Sequence, residues 1–176
     1  MSFGGSDEKL EAVEVTHSPA TVSSVIAAAA AVLAVITSGT SILALLIGVF
    51  GLVAVVGGLF VFDSERALLV GTAFVFIGVV VSGIYGNSFA LLVMGTFGSI
   101  LAFDVGSNAF SIGRQMSEDT ETTRGEVVHA AASLAVGVVI VGIGTLIFLV
   151  SLSELPVASI ALLLFGALLL AWAIRS

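Results

Sequence analysis

From Ser41 to Phe62 the chain runs for 22 residues without a charged side chain. A helix of that length rises about 33 Å, enough to cross a hydrocarbon core of about 30 Å. Barrel strands need segments of about ten residues that alternate apolar and polar, and Leu45–Phe62 does not alternate. In lipid every backbone N–H and C=O must find its partner within the spanning structure, which leaves the helix.

Five further runs share this character, so six spans are expected, at about 19–37, 41–62, 67–85, 89–112, 126–150 and 156–174. The expected fold class is all-α: a polytopic integral membrane helical bundle of six transmembrane helices, with five as the alternative count. Ser18 suits an N-cap and Pro19 the first helical position of the first run. Short breaks at Ser38-Gly39-Thr40, Gly86-Asn87-Ser88 and Ser151–Leu155, and the charged turn Asp63-Ser64-Glu65-Arg66, separate the runs. The long polar connection is 113–125, which carries Arg114, Glu118, Asp119, Glu121 and Arg124. Thr123 with Glu126 fits a capping box that opens the fifth run. Pro156 is tolerated in the first turn of the sixth.

Composition supports this environment. Hydrophobic residues make up 59% and charged residues 10%, whereas soluble domains are about a quarter charged. Cysteine is absent, which excludes disulfides, thiolate zinc sites and iron–sulfur sites. The net charge is −7 with five Lys and Arg in all, too few for a nucleic-acid surface. No GxSxG, HExxH or P-loop pattern occurs. The expectation is therefore a non-enzyme with no catalytic residue, no metal and no cofactor. His17 reads as a solvated tail residue.

Residues 1–18 form an acidic segment in which Asp7, Glu8, Glu11 and Glu14 outnumber Lys9. A secretory signal begins with a basic region instead, so an uncleaved, loosely ordered tail is expected. With six spans, Lys9, Arg66, Arg114, Arg124 and Arg175 all fall on one side, and no basic residue on the other. Cytoplasmic loops carry the excess of Lys and Arg, so both termini are expected in the cytoplasm of a cell with this multi-pass protein in its membrane.

Two features inside the spans bear on function. Fourteen of the 20 glycines lie in spans two to six. Gly78 with Ser82, and Gly95 with Ser99, give small-xxx-small spacings that let helix backbones approach closely. Packing within one bundle is the preferred reading of these pairs, and self-association the other.

The second feature is Asp104, a carboxylate within an apolar run. Counted from Phe89, it lies roughly 22 Å down a span. An ionised carboxylate near the bilayer centre costs about 3 kcal/mol and less toward the interface, so it must face protein or water. Helical spacing places Asp104, Ser107, Asn108 and Ser111 on one stripe, and Glu126, His129 and Ser133 on another. A polar intramembrane seam between the fourth and fifth spans is expected. It serves either as a hydrogen-bonded clamp or as a proton or ion path that uses Asp104 and His129.

The stretches AFDVGSNAFSIGRQ and EVVHAAASLAVG, over about 102–137, resemble a family of uncharacterised small membrane proteins of halophilic archaea. The single Lys and the acidic polar segments fit that resemblance. It implies lineage and topology, and an association with neighbours of a MoxR-type ATPase system; it implies no activity. Two function classes follow. One is a non-catalytic scaffold or anchor subunit of a membrane-associated complex, with the bilayer and a cytoplasmic or membrane protein as partners. The other is a small transporter or ion-conducting protein that uses Asp104.

Overall fold

The structure, a computed structural model, describes residues 18–115 and 123–151. Among them are five helices and no strand: α1 (Thr21–Thr37), α2 (Ile42–Phe60), α3 (Glu65–Ile84), α4 (Phe89–Gln115) and α5 (Thr123–Ser151). Each coincides with one of the first five expected spans. The expected span at 156–174 lies outside the described residues. Four helices, α2 to α5, are long and apolar enough to cross a membrane, while α1 is apolar but shorter at 17 residues. The chain divides into two compact units, Met1–Gly137 and Val138–Ser176. The first holds α1 to α4 and α5 as far as Gly137. In the second, the described residues continue α5 and expose Val138, Val139 and Ile140.

Three helix boundaries differ from the sequence expectation. The N-cap of α1 is Ala20, without a side-chain cap, in place of Ser18. The lead-in is drawn aside by α4: Ala20 N–H donates to the Ala109 carbonyl at 3.0 Å, and the Ser18 hydroxyl points to Asp63 at 3.4 Å. Helix α3 starts at Glu65 because the Ser64 hydroxyl accepts from Ala67 N–H and an acid in the first turn suits the helix dipole. The expected loop 113–125 is shorter, since α4 runs to Gln115 and α5 begins at Thr123. Gly113 lies within α4 where a side chain would collide with the Ser18 carbonyl.

The packing is inverted relative to a soluble bundle. Helix α2 turns Ala44, Gly48, Gly51 and Gly58 inward and Ile42, Leu46, Phe50 and Val53 outward, each more than half exposed. In water so much contiguous apolar surface would drive association, and it is compatible with a lipid surround. Lipid tails are as apolar as Leu, so helices associate through close packing of small residues. A Cβ on Gly51 would lie 2.6 Å from the Gly71 carbonyl of α3, and one on Gly71 would lie 2.6 Å from Val55 N. Phe50 and Phe74 close the side of this contact edge to face, with centroids 5.2 Å apart.

Helices α1 and α4 pack antiparallel in the same manner. Gly106 of α4 meets Ala27, Gly98 meets Ala30 and Ala34, and Gly95 meets Thr37. Between the two helix pairs one core gathers around Val55, Leu59, Leu68, Val105 and Phe110. A second joins Ala34, Val35, Val75 and Val79.

The α1–α2 and α3–α4 turns share one end. There Gly86 takes φ +86°, the left-handed conformation that ends α3. Asn87 follows, buried, and its Nδ2 donates to the Thr37 carbonyl at 2.7 Å and to the Ser82 hydroxyl at 2.9 Å. It thereby closes the C-terminal end of α1 from another turn. Asn87→Ala is expected to cost about 1–3 kcal/mol, because it leaves buried acceptors without a donor. Asn87→Asp, which cannot donate, should lower the thermal midpoint of detergent-purified protein as well.

Candidate functional site

Helix α5 meets the core through its polar stripe. Glu126, His129, Ala130, Ser133 and Gly137 recur at helical spacing and are its buried or half-buried residues in the first unit. The flanking Val127, Val128, Leu134 and Val136 are exposed. The stripe runs antiparallel to α4. Gly137 lies against the Phe97 ring, and one to two turns earlier on α5 the Ser133 hydroxyl donates to Asp104 Oδ2 at 2.5 Å. His129 Nε2 is 3.5 Å from the same carboxylate oxygen. The expected seam thus brings Asp104, His129 and Ser133 together. The Asp104 and His129 side chains are 48% and 42% exposed, so solvent screening holds such a pair to about 1 kcal/mol or less.

Glu126 behaves differently. It is 2% exposed, and its Oε2 accepts from the backbone N–H of Ser23 at 2.7 Å. Ser23 is the third residue of α1, where helix N–H groups have no intrahelical acceptor. The carboxylate therefore fills the capping role that Ala20 cannot. It also places its negative charge at the positive end of the α1 dipole. A buried carboxylate needs such compensation, and here one helix supplies it to another.

The remaining candidates have local partners. The Ser107 hydroxyl donates to the Asp104 carbonyl at 3.0 Å, and Ser111 accepts from Gln115 Nε2 at 2.9 Å. Asn108 is half-buried, with its Nδ2 shielded. The four packing residues lie inside the bundle. Gly78 faces Ala44 and Gly48, and Gly95 faces Thr37 and Val79. Ser82 and Ser99 are buried and donate to carbonyls of their own helices.

One end of the first unit collects the charges. The α1 start, the α2–α3 turn, the α4 end and the α5 start meet there through the Ser18–Asp63, Ser23–Glu126 and Ala20–Ala109 contacts. Arg114 Nη1 pairs with Glu65 Oε2 at 2.8 Å, and an open cleft beside the pair is lined by Phe62, Asp63, Arg66 and Phe110. Arg66, Arg114 and Arg124, the basic residues among those described, belong to these segments. Among the described residues no three His, Asp or Glu side chains converge on one point.

Sequence reasoning missed two functional partners. Hydropathy places Ser23 in a plain apolar run, although a Ser-Ser pair near a helix start is a usable signal for polar neighbours. Asn87 falls in a short break between runs, and nothing local to Gly86-Asn87-Ser88 points to Thr37.

Residues 17–171 match a family of unknown function (DUF7519). No curated protein and no solved structure matches the chain.

Proposed function

The chain belongs to that family of unknown function, and we propose that it is a non-catalytic membrane subunit that anchors a partner through its charged end. The supporting observation is how its titratable groups are held. Glu126 is engaged by α1, Asp104 by α5, and Arg114 by Glu65. The core beyond the seam is filled by Ala34, Val35, Val75 and Val79. Titratable groups held in this way support the reading as a platform. In this reading six spans cross a cell membrane, α1 and residues 156–174 included, with both termini and the 113–125 loop in the cytoplasm. The single Lys and the acidic tail support a halophilic archaeal source, and a MoxR-type ATPase system is the partner class that the sequence resemblance offers.

Topology is directly testable because the chain has no cysteine. Thr40→Cys and Ser88→Cys are expected to react with an impermeant maleimide added outside intact cells. Ser117→Cys should react only after the cells are opened. Labelling of Ser117→Cys from outside would remove the proposed orientation.

The functional test is purification from native membranes in mild detergent and high salt. A stoichiometric partner should co-purify and be lost when Glu118, Asp119 and Glu121 are replaced by their amides. The half-exposed Asp104–His129 pair favours a second reading, a proton-linked carrier. That reading replaces the first if the chain purifies alone and proteoliposomes show a pH-dependent flux that Asp104→Asn abolishes.

A further inference from the structure

The seam between α1, α4 and α5 contains three shielded polar atoms without a protein hydrogen bond: Ser23 Oγ, Asn108 Nδ2 and His129 Nε2. Ser23 is completely buried. Buried polar atoms are almost always bonded, to protein or to ordered water. These three share one neighbourhood. Ser23 is tied to Glu126 through its N–H, and His129 faces Asp104. The antiparallel register set by Asp104–Ser133 and Phe97–Gly137 puts Asn108, one turn from Asp104, level with Glu126. The three atoms thus share the stretch of seam that runs from Glu126 to Asp104 and His129.

We propose that this seam is a binding site for ordered water, which bridges Glu126 to Asp104 and His129. The donor and acceptor set selects the ligand. Asn108 Nδ2 can only donate, a carboxylate oxygen can only accept, and the Ser23 hydroxyl can do either. A guest that meets all of them must both accept and donate, as water does. A metal ion fits poorly, since it would face an amide N–H, and Asp104, Glu126 and His129 do not converge on one point. The titratable groups on the elements around the site are Asp104 and Arg114 on α4 and Arg124, Glu126 and His129 on α5. Glu65 and Arg66 stand on α3, and Glu65 is paired with Arg114. Helix α1 contributes none. The site is independent of whether the chain anchors a partner or carries a solute, because either needs the same three helices in place.

The test uses the full chain in lipid bilayers, labelled with ¹⁵N at histidine and asparagine, in a His17→Gln background so that His129 is the sole imidazole. Magnetisation transfer from water to the His129 and Asn108 side chains is read by solid-state NMR with the bulk water frozen. Transfer to His129 should persist on freezing and be lost in Asn108→Leu. Ser23→Ala, a smaller change, should weaken it and serves where Asn108→Leu does not fold. Transfer that disappears on freezing, or that survives both substitutions, overturns the proposal.

Discussion

Gly71→Leu is expected to abolish the folded bundle. The Gly71 Cα faces α2 where a single added carbon would lie 2.6 Å from Val55 N and 2.7 Å from the Gly51 carbonyl. Both neighbours are backbone, so no side chain can swing away. The helices must part along a contact that small residues keep tight, and dispersion falls steeply with separation. Overpacking by one methyl in a filled core costs about 1–3 kcal/mol, so Gly71→Ala and Gly51→Ala should already lower the thermal midpoint clearly. Leucine adds three more carbons at the same place. Gly125 is the control. Nothing lies within 4 Å of its Cβ position, and alanine there favours the helix by up to about 1 kcal/mol. Monodispersity on size exclusion and thermal unfolding in detergent measure the series. Equal stability of Gly71→Leu and Gly125→Ala would contradict the close α2–α3 contact.

Glu126→Leu should be the next most damaging change, at about 3 kcal/mol. It leaves the buried Ser23 N–H without an acceptor, which alone costs about 1–3 kcal/mol, and it removes the anion from the α1 dipole. The apolar bulk is retained, so lost packing does not explain the effect. Glu126→Gln keeps an acceptor oxygen and should lose about 1 kcal/mol. Asp104→Asn should lose no more than that, because its pair is half-exposed. The ranking Leu, then Gln and Asn, is readable from unfolding midpoints in bicelles. If Glu126→Leu matches the native chain, the carboxylate does not cap α1.

The helices and their approximate ends were legible because long uncharged apolar runs, such as Ser41–Phe62, alternate with short polar breaks. The polar stripes on α4 and α5 were legible for a related reason: helical spacing alone aligns Asp104 with Asn108, and His129 with Ser133. Their pairing across the seam followed from counting depth. What could not be read was the identity of partners far along the chain. Glu126 fitted a local capping box with Thr123, yet its carboxylate reaches Ser23. Local pattern carries no information about which helix end happens to lie beside a given side chain. The same holds for Asn87 and Thr37. The α1 start shifts from Pro19 to Thr21 through a tertiary bond to Ala109, which sequence propensity cannot foresee.

The cross-helix cap has a temporal side. Ser23 and its carboxylate partner are 103 positions apart. At about 5–20 residues per second of synthesis, roughly 5–20 s separate the emergence of the two. For that interval the opening turn of the nascent first helix lacks this acceptor. The ribosome must deliver the fifth helix before the first is secured, which makes this clasp a late checkpoint in assembly.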